Sequence, residues 1–141
     1  MKTTTLITML QIAGLLHLGL VWAGASMPRA VGLRQHIAVL PPFIRRLFLV
    51  YLAFIGFILV SFGALSFFFA APMAAGEPLA RTLCVVMTVF WTIRLLAAAF
   101  IFDVRPYLTN AFYRAGYAAT NCVFVYLLAV YAFAALKGGA L

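Results

Sequence analysis

Apolar residues run almost unbroken through four stretches of this chain, residues 5–24, 47–70, 79–102 and 118–136. At about 1.5 Å of rise per residue, each is long enough to cross a hydrocarbon layer about 30 Å thick as a helix. The punctuation between them agrees. Ala71-Pro72 closes the second stretch, and Glu77-Pro78 opens the third with a proline suited to a first helical turn. Arg105-Pro106 follows the third and Lys137-Gly138-Gly139 the fourth. The last two connections are too short for distant crossovers. The pattern therefore predicts an all-α fold, an up-down integral membrane four-helix bundle forming one transmembrane domain over residues 1–141.

The connection 25–46 has a pattern of its own. Ser26 offers a helix cap with Pro28 in the first turn. Leu33, Ile37 and Leu40 then share one face, while Arg34, Gln35 and His36 point elsewhere and Pro41-Pro42 stops the run. A short amphipathic interfacial helix between the first and second spans is predicted.

Composition removes the soluble alternative. The chain is 67% hydrophobic and 9% charged, whereas a soluble domain carries about 25% charged residues. Net charge is +8, from ten Lys and Arg against two acids, Glu77 and Asp103. No nucleic-acid motif accompanies that charge, and the cations lie mostly between the apolar runs, as juxtamembrane residues do. Arg29, Arg34, Arg45, Arg46, Arg105 and Arg114 fall in the first and third connections, against Lys2, Arg81 and Lys137 on the other side. The excess predicts a multi-pass membrane protein with the first and third connections cytoplasmic and both termini on the periplasmic or external side. Lys2, the apolar run after it and Ala23-Gly24-Ala25 imitate a signal peptide, but the run is about twice the usual length. Cys84 and Cys122 match no metal or redox spacing and lie near opposite faces, so no disulfide is expected.

Ionisable groups inside a membrane are expensive and mark the places to look for function. Counted from the inner ends of the predicted spans, His17 lies about 10 Å deep, Arg94 and Tyr126 about 12 Å, and Tyr51 about 6 Å, with Asn121 shallower. One polar layer in one leaflet is the expectation. Arg94 has no internal acid in reach. Glu77 is on the other side, and Asp103 is nine positions along the same helix, about 180° around it. Arg94 either snorkels to the headgroups, pairs inside the bundle with tyrosine hydroxyls and Trp91, or meets a ligand or a partner's acid. His17 shares a face with Gly14 and Gly24, which suggests a close helix contact holding a neutral histidine. Haem or chlorophyll ligation is the alternative, although haem b wants two facing histidines and only interfacial His36 remains. Gly56, Gly63 and Ser66 line a small face of the second span, Gly19 and Ala23 pair on the first, and Tyr117, Asn121, Phe124, Leu128 and Tyr131 follow a heptad-like seam on the fourth.

No paired carboxylates, zinc motif, nucleophile–base pair or phosphate-cradling loop is present, so no enzyme is expected. Three functional classes stay open. The first is an accessory or scaffold subunit that packs in the lipid bilayer against a membrane partner or as a homo-oligomer, with no cofactor. The second is a redox-cofactor or quinone subunit with His17, Arg94 and Tyr126 as binding residues. The third is a small transporter or lipid-handling protein in which Arg94 meets an anionic headgroup.

Several strings carry a resemblance: Met27-Pro28-Arg29, Phe62-Gly63-Ala64-Leu65-Ser66, Gly76-Glu77-Pro78-Leu79-Ala80-Arg81, Phe90-Trp91-Thr92-Ile93-Arg94-Leu95 and Phe100-Ile101-Phe102-Asp103. The chain resembles a family of small bacterial four-span membrane proteins, over most of its length. In that family's pattern the position of Tyr51 often holds histidine. The resemblance implies a bacterial inner-membrane protein and assigns no activity.

Overall fold

The computed structural model describes residues 2–30 and 32–137, together with the side chains of all of these except Ala30 and Tyr107. Its helices are α1 (Thr3–Ala30), α2 (Leu33–Ala38), α3 (Pro42–Phe68), α4 (Ala70–Ala75), α5 (Pro78–Phe100) and α6 (Ala111–Lys137), with a single 3-10 turn at Arg105–Tyr107. Among the described residues there is no strand. Helices α1, α3, α5 and α6 are each long and apolar enough to cross a membrane. The fold is an all-α four-helix membrane bundle.

Helices α3 and α6 begin at Pro42 and Ala111, ahead of the expected 47 and 118, and three further departures from the sequence expectation have local reasons. Ser26 does not cap a new helix, because α1 continues through it and through Pro28 to Ala30. The Ser26 hydroxyl instead donates back to the Trp22 carbonyl at 2.9 Å. Pro28 has no N–H to bond the Gly24 carbonyl, so the last turn of α1 lacks one hydrogen bond and the helix ends two residues later. The short helix α2 then starts at Leu33, after Gly32 at φ 61, a left-handed conformation that glycine adopts without steric cost. Its Leu33, Ile37 and Leu40 are half-buried while Arg34, Gln35 and His36 are exposed, as the pattern predicts.

Pro72 does not terminate the second span from behind. The break falls at Phe69, and Pro72 sits in the first turn of α4. A proline ring clashes with the carbonyl four residues earlier, here Phe68, so the chain breaks there and restarts with the missing N–H among groups already unpaired. Helix α4 ends on Gly76 at φ 77. The Glu77 N–H bonds to the Pro72 carbonyl at 3.2 Å and the Gly76 N–H to that of Met73 at 3.3 Å. This paired arrangement closes the helix and sends the chain straight into α5, with Pro78 at its start.

Helix α1 is the spine, packed against α3, α4 and α6, while α5 pairs chiefly with α6 and α4 covers one end. The core is lopsided. Leu6, Leu10, Met73, Cys84, Met87, Trp91, Leu127 and Tyr131 are essentially inaccessible, and all lie in the half covered by α4. Beyond Leu20 in α1, before Gly63 in α3 and before Phe124 in α6, no described side chain is buried. Small residues explain the closed half: Gly14, Gly63, Ala70, Ala74, Ala80, Ala134 and Ala135 let backbones approach. The α2 half carries Trp22, Phe43, Tyr51, Phe54, Phe57 and Phe112 on its outside instead. Lipid solvates such surface as readily as protein covers it, so nothing forces the α2 half to close.

Candidate functional site

The tightest helix contact sets the first polar cluster. Gly14 of α1 crosses Gly63 of α3 so closely that an added Cβ on Gly14 would stand 2.8 Å from the Gly63 carbonyl oxygen. Three residues further on, each helix places a polar side chain at the same seam, His17 and Ser66, both fully buried. The His17 Nδ1–H donates to the Ala13 carbonyl at 2.7 Å, which assigns the tautomer and leaves Nε2 with its lone pair. That Nε2 is buried and has no hydrogen-bond partner. Phe62, Trp91 and Tyr131 surround the imidazole edge to face, with centroids at 6.2, 5.4 and 6.1 Å. The Ser66 hydroxyl donates to the Phe62 carbonyl at 2.7 Å and accepts from the Tyr131 hydroxyl.

The second cluster lies toward the open half. Arg94 extends over two rings, its Cζ 5.0 Å from the Phe124 centroid and 5.3 Å from that of Phe102. These contacts replace the expected one with Trp91, which turns inward and meets His17 and Phe124. One terminal guanidinium nitrogen of Arg94 is buried without a hydrogen-bond partner. Among the described residues no acid pairs with it. Glu77 lies at the opposite end of α5, and the Asp103 carboxylate accepts from the Arg105 backbone N–H at 3.1 Å. Trp91 and Phe124 stack at 5.1 Å, so rings connect His17 to Arg94 without a break. Past Phe102 opens a cavity of about 550 Å³ at the α2 end, lined by Phe100, Phe102, Asp103, Arg105, Leu108 and Tyr117 among others.

The single polar layer expected from the sequence does not form. The Tyr126 hydroxyl donates to the Met9 carbonyl at 3.0 Å, apart from both clusters. Tyr51 is 60% exposed on α3, and the Asn121 amide donates to the Tyr117 carbonyl of its own helix. The depths change because α1 runs on to Ala30. His17 is then about 20 Å from that end, near the middle of α1, where its ring meets those of Trp91 and Tyr131. His36 sits exposed on α2, its Nδ1–H donating to the Gly32 carbonyl at 3.0 Å, and does not face His17. Ser66, Tyr131 and Trp91 are the buried partners that sequence reasoning missed around His17. The readable signal was the matched spacing Gly14-x-x-His17 and Gly63-x-x-Ser66.

The remaining cations divide by end. Near α4, the Arg81 Nε donates to the Ala135 carbonyl at 3.0 Å and Lys137 to the Thr3 hydroxyl at 3.2 Å. At the α2 end, Arg29, Arg34, Arg46, Arg105 and Arg114 are exposed. Cys84 is buried and Cys122 exposed, both as free thiols. Among the described residues no group of three or more metal-ligating side chains exists. Comparison with protein families, with characterised proteins and with solved structures finds no match for the chain.

Proposed function

We propose that this multi-pass membrane protein is a non-catalytic lipid-binding protein whose open half receives the phosphate headgroup of a membrane lipid, with Arg94 as its anchor. The observation that carries this reading is Arg94 itself, lying over Phe102 and Phe124 with a buried nitrogen unpaired and no acid among the described residues bonded to it. An arginine at membrane depth costs about 3 kcal/mol on insertion scales unless something satisfies it. Cation–π contacts recover part of that cost. A phosphate supplies the rest, since its oxygens match the planar fork of a guanidinium.

The test is native mass spectrometry of the protein extracted gently from its own membrane. Wild-type protein is expected to retain phospholipid that Arg94→Ala loses and Arg94→Lys partly keeps. Identical retention in all three removes the reading. The arginine-rich α2 end belongs on the cytoplasmic side of a bacterial inner membrane, in line with the charge excess and the family resemblance. A periplasmic reporter is then active when fused at the C-terminus and silent when fused after α2.

A second reading is an accessory subunit or homo-oligomer. It is favoured by α3, the least buried of the four spans, and by an apolar groove of about 320 Å³ beside the Gly14–Gly63 crossing. Such a subunit co-purifies with a stoichiometric partner or with itself, and a monomer free of other proteins counts against it.

A further inference from the structure

Guanidinium groups collect where the spans end beside α2. Arg29 lies in the last turn of α1, Arg34 on α2, and Arg45 and Arg46 just inside the start of α3. Arg105 lies in the 3-10 turn and Arg114 in the first turn of α6. The first turns of α3 and α6 contain no acid. Asp103 is the one carboxylate at this end, so six cations against one anion leave an excess of +5. Arg29, Arg34, Arg46, Arg105 and Arg114 are exposed. At the opposite end, by contrast, Arg81 and Lys137 are engaged by the Ala135 carbonyl and the Thr3 hydroxyl.

The neighbours of these arginines set their depth. Phe43 shortly precedes Arg46 in α3, Phe112 shortly precedes Arg114 in α6, and both rings are strongly exposed. Exposed rings beside cations at span ends belong to the headgroup layer, where the ring rests at the acyl boundary and the arginine reaches the phosphates. That depth favours lipid over a soluble acidic protein, whose carboxylates would have to enter the headgroup layer to meet Arg46 and Arg114. We infer that this arginine-rich end is a binding surface for anionic phospholipids of the leaflet around it. Clusters of about four to eight basic residues beside a span attract such lipids electrostatically. A zwitterionic lipid brings its own ammonium to the same cations and gains less. The inference uses the exposed arginines and not Arg94, so it stands or falls apart from the reading of that residue above.

The experiment reconstitutes the full chain in nanodiscs made of equal parts phosphatidylglycerol and phosphatidylcholine with identical acyl chains. Retained lipid is read by native mass spectrometry after extraction in mild detergent. Phosphatidylglycerol is expected to exceed phosphatidylcholine about fivefold, the factor that one arginine near an anionic surface supplies. The excess should shrink toward one in about 1 M salt, where charges are screened beyond about 3 Å. Arg34→Gln, Arg46→Gln and Arg114→Gln together should also bring the ratio close to one, and lysine at the same three positions should keep it. Lys2→Gln with Lys137→Gln, at the other end, should leave the excess in place, as should Arg94→Ala, whatever lipid that variant sheds. An excess kept by the triple glutamine variant, or equal retention of both lipids by wild-type protein, overturns this inference and leaves the Arg94 reading standing. An excess abolished by Arg94→Ala alone assigns it to that residue and likewise overturns the inference. A stoichiometric acidic protein, co-purified from the native membrane and lost from the triple glutamine variant, would make the partner a protein and refute the lipid assignment.

Discussion

Replacing Gly14 by alanine tests the packing logic on which the buried cluster depends. The new Cβ would lie 2.8 Å from the Gly63 carbonyl oxygen and 3.0 Å from both the Cβ and the backbone nitrogen of Phe67. Ordinary contact begins near 3.4 Å, so α1 and α3 must separate by several tenths of an ångström, against backbone atoms that cannot rotate away. A gap of 0.5–1 Å already forfeits about a quarter to a half of each dispersion contact along a seam. Overpacking of this kind costs about 1–3 kcal/mol, offset by about 1 kcal/mol of helix propensity that alanine gains over glycine. The expected net loss is about 0–2 kcal/mol against wild type, at most roughly a thirtyfold drop in the folded-to-unfolded ratio, and about 1–3 kcal/mol against an alanine substitution that meets no clash. The assay is helicity by circular dichroism during SDS titration of protein in dodecylmaltoside. Gly19→Ala and Gly56→Ala are the controls, since nothing lies within 4 Å of either added methyl, and both should match or exceed wild type. A Gly14→Ala protein as stable as these controls would falsify the close-crossing argument.

Three more outcomes follow from the same contacts. Ser66→Ala should destabilise more than Tyr131→Phe in that titration. The first strands the buried tyrosine hydroxyl, at about 1–3 kcal/mol, whereas the second leaves Ser66 still bonded to the Phe62 carbonyl and costs about 0.6 kcal/mol; the reverse order refutes the assigned donor direction. Cys122 should react with a maleimide in detergent well before Cys84, which is inaccessible, and equal labelling rates would contradict the closed half. Phe124→Leu removes one of the two rings under Arg94 and should lower stability by about 1–2 kcal/mol from the lost cation–π contact; if Phe102→Leu and Phe124→Leu are both silent, the rings do not hold the guanidinium.

Much of the fold was written in the hydropathy pattern, because a membrane leaves a long apolar segment little choice but a helix. The four spans, Pro78 at the start of α5 and the exposed Arg34-Gln35-His36 face of α2 all follow from local rules. The helix ends at Ala30 and Phe68 were harder. A proline near a terminus is compatible with both a stop and a start, and Pro28 and Pro72 each took the role opposite to the expected one.

The order of residues alone identifies which four stretches are long and apolar enough to cross a membrane, which connections collect arginine, and that only two acidic side chains are available to Arg94. These are properties of composition and of position along one helix. Packing settled which faces meet: that the His17 ring meets Trp91 and Tyr131, that Tyr131 bonds to Ser66, that Tyr126 bonds to Met9, and that Phe124 and Phe102 lie under Arg94. A soluble helix advertises its buried face by polarity, but in these spans the lipid-facing and core-facing sides are equally apolar. The choice between them is made by the fit of small residues at the Gly14–Gly63 crossing, and that fit exists only between helices.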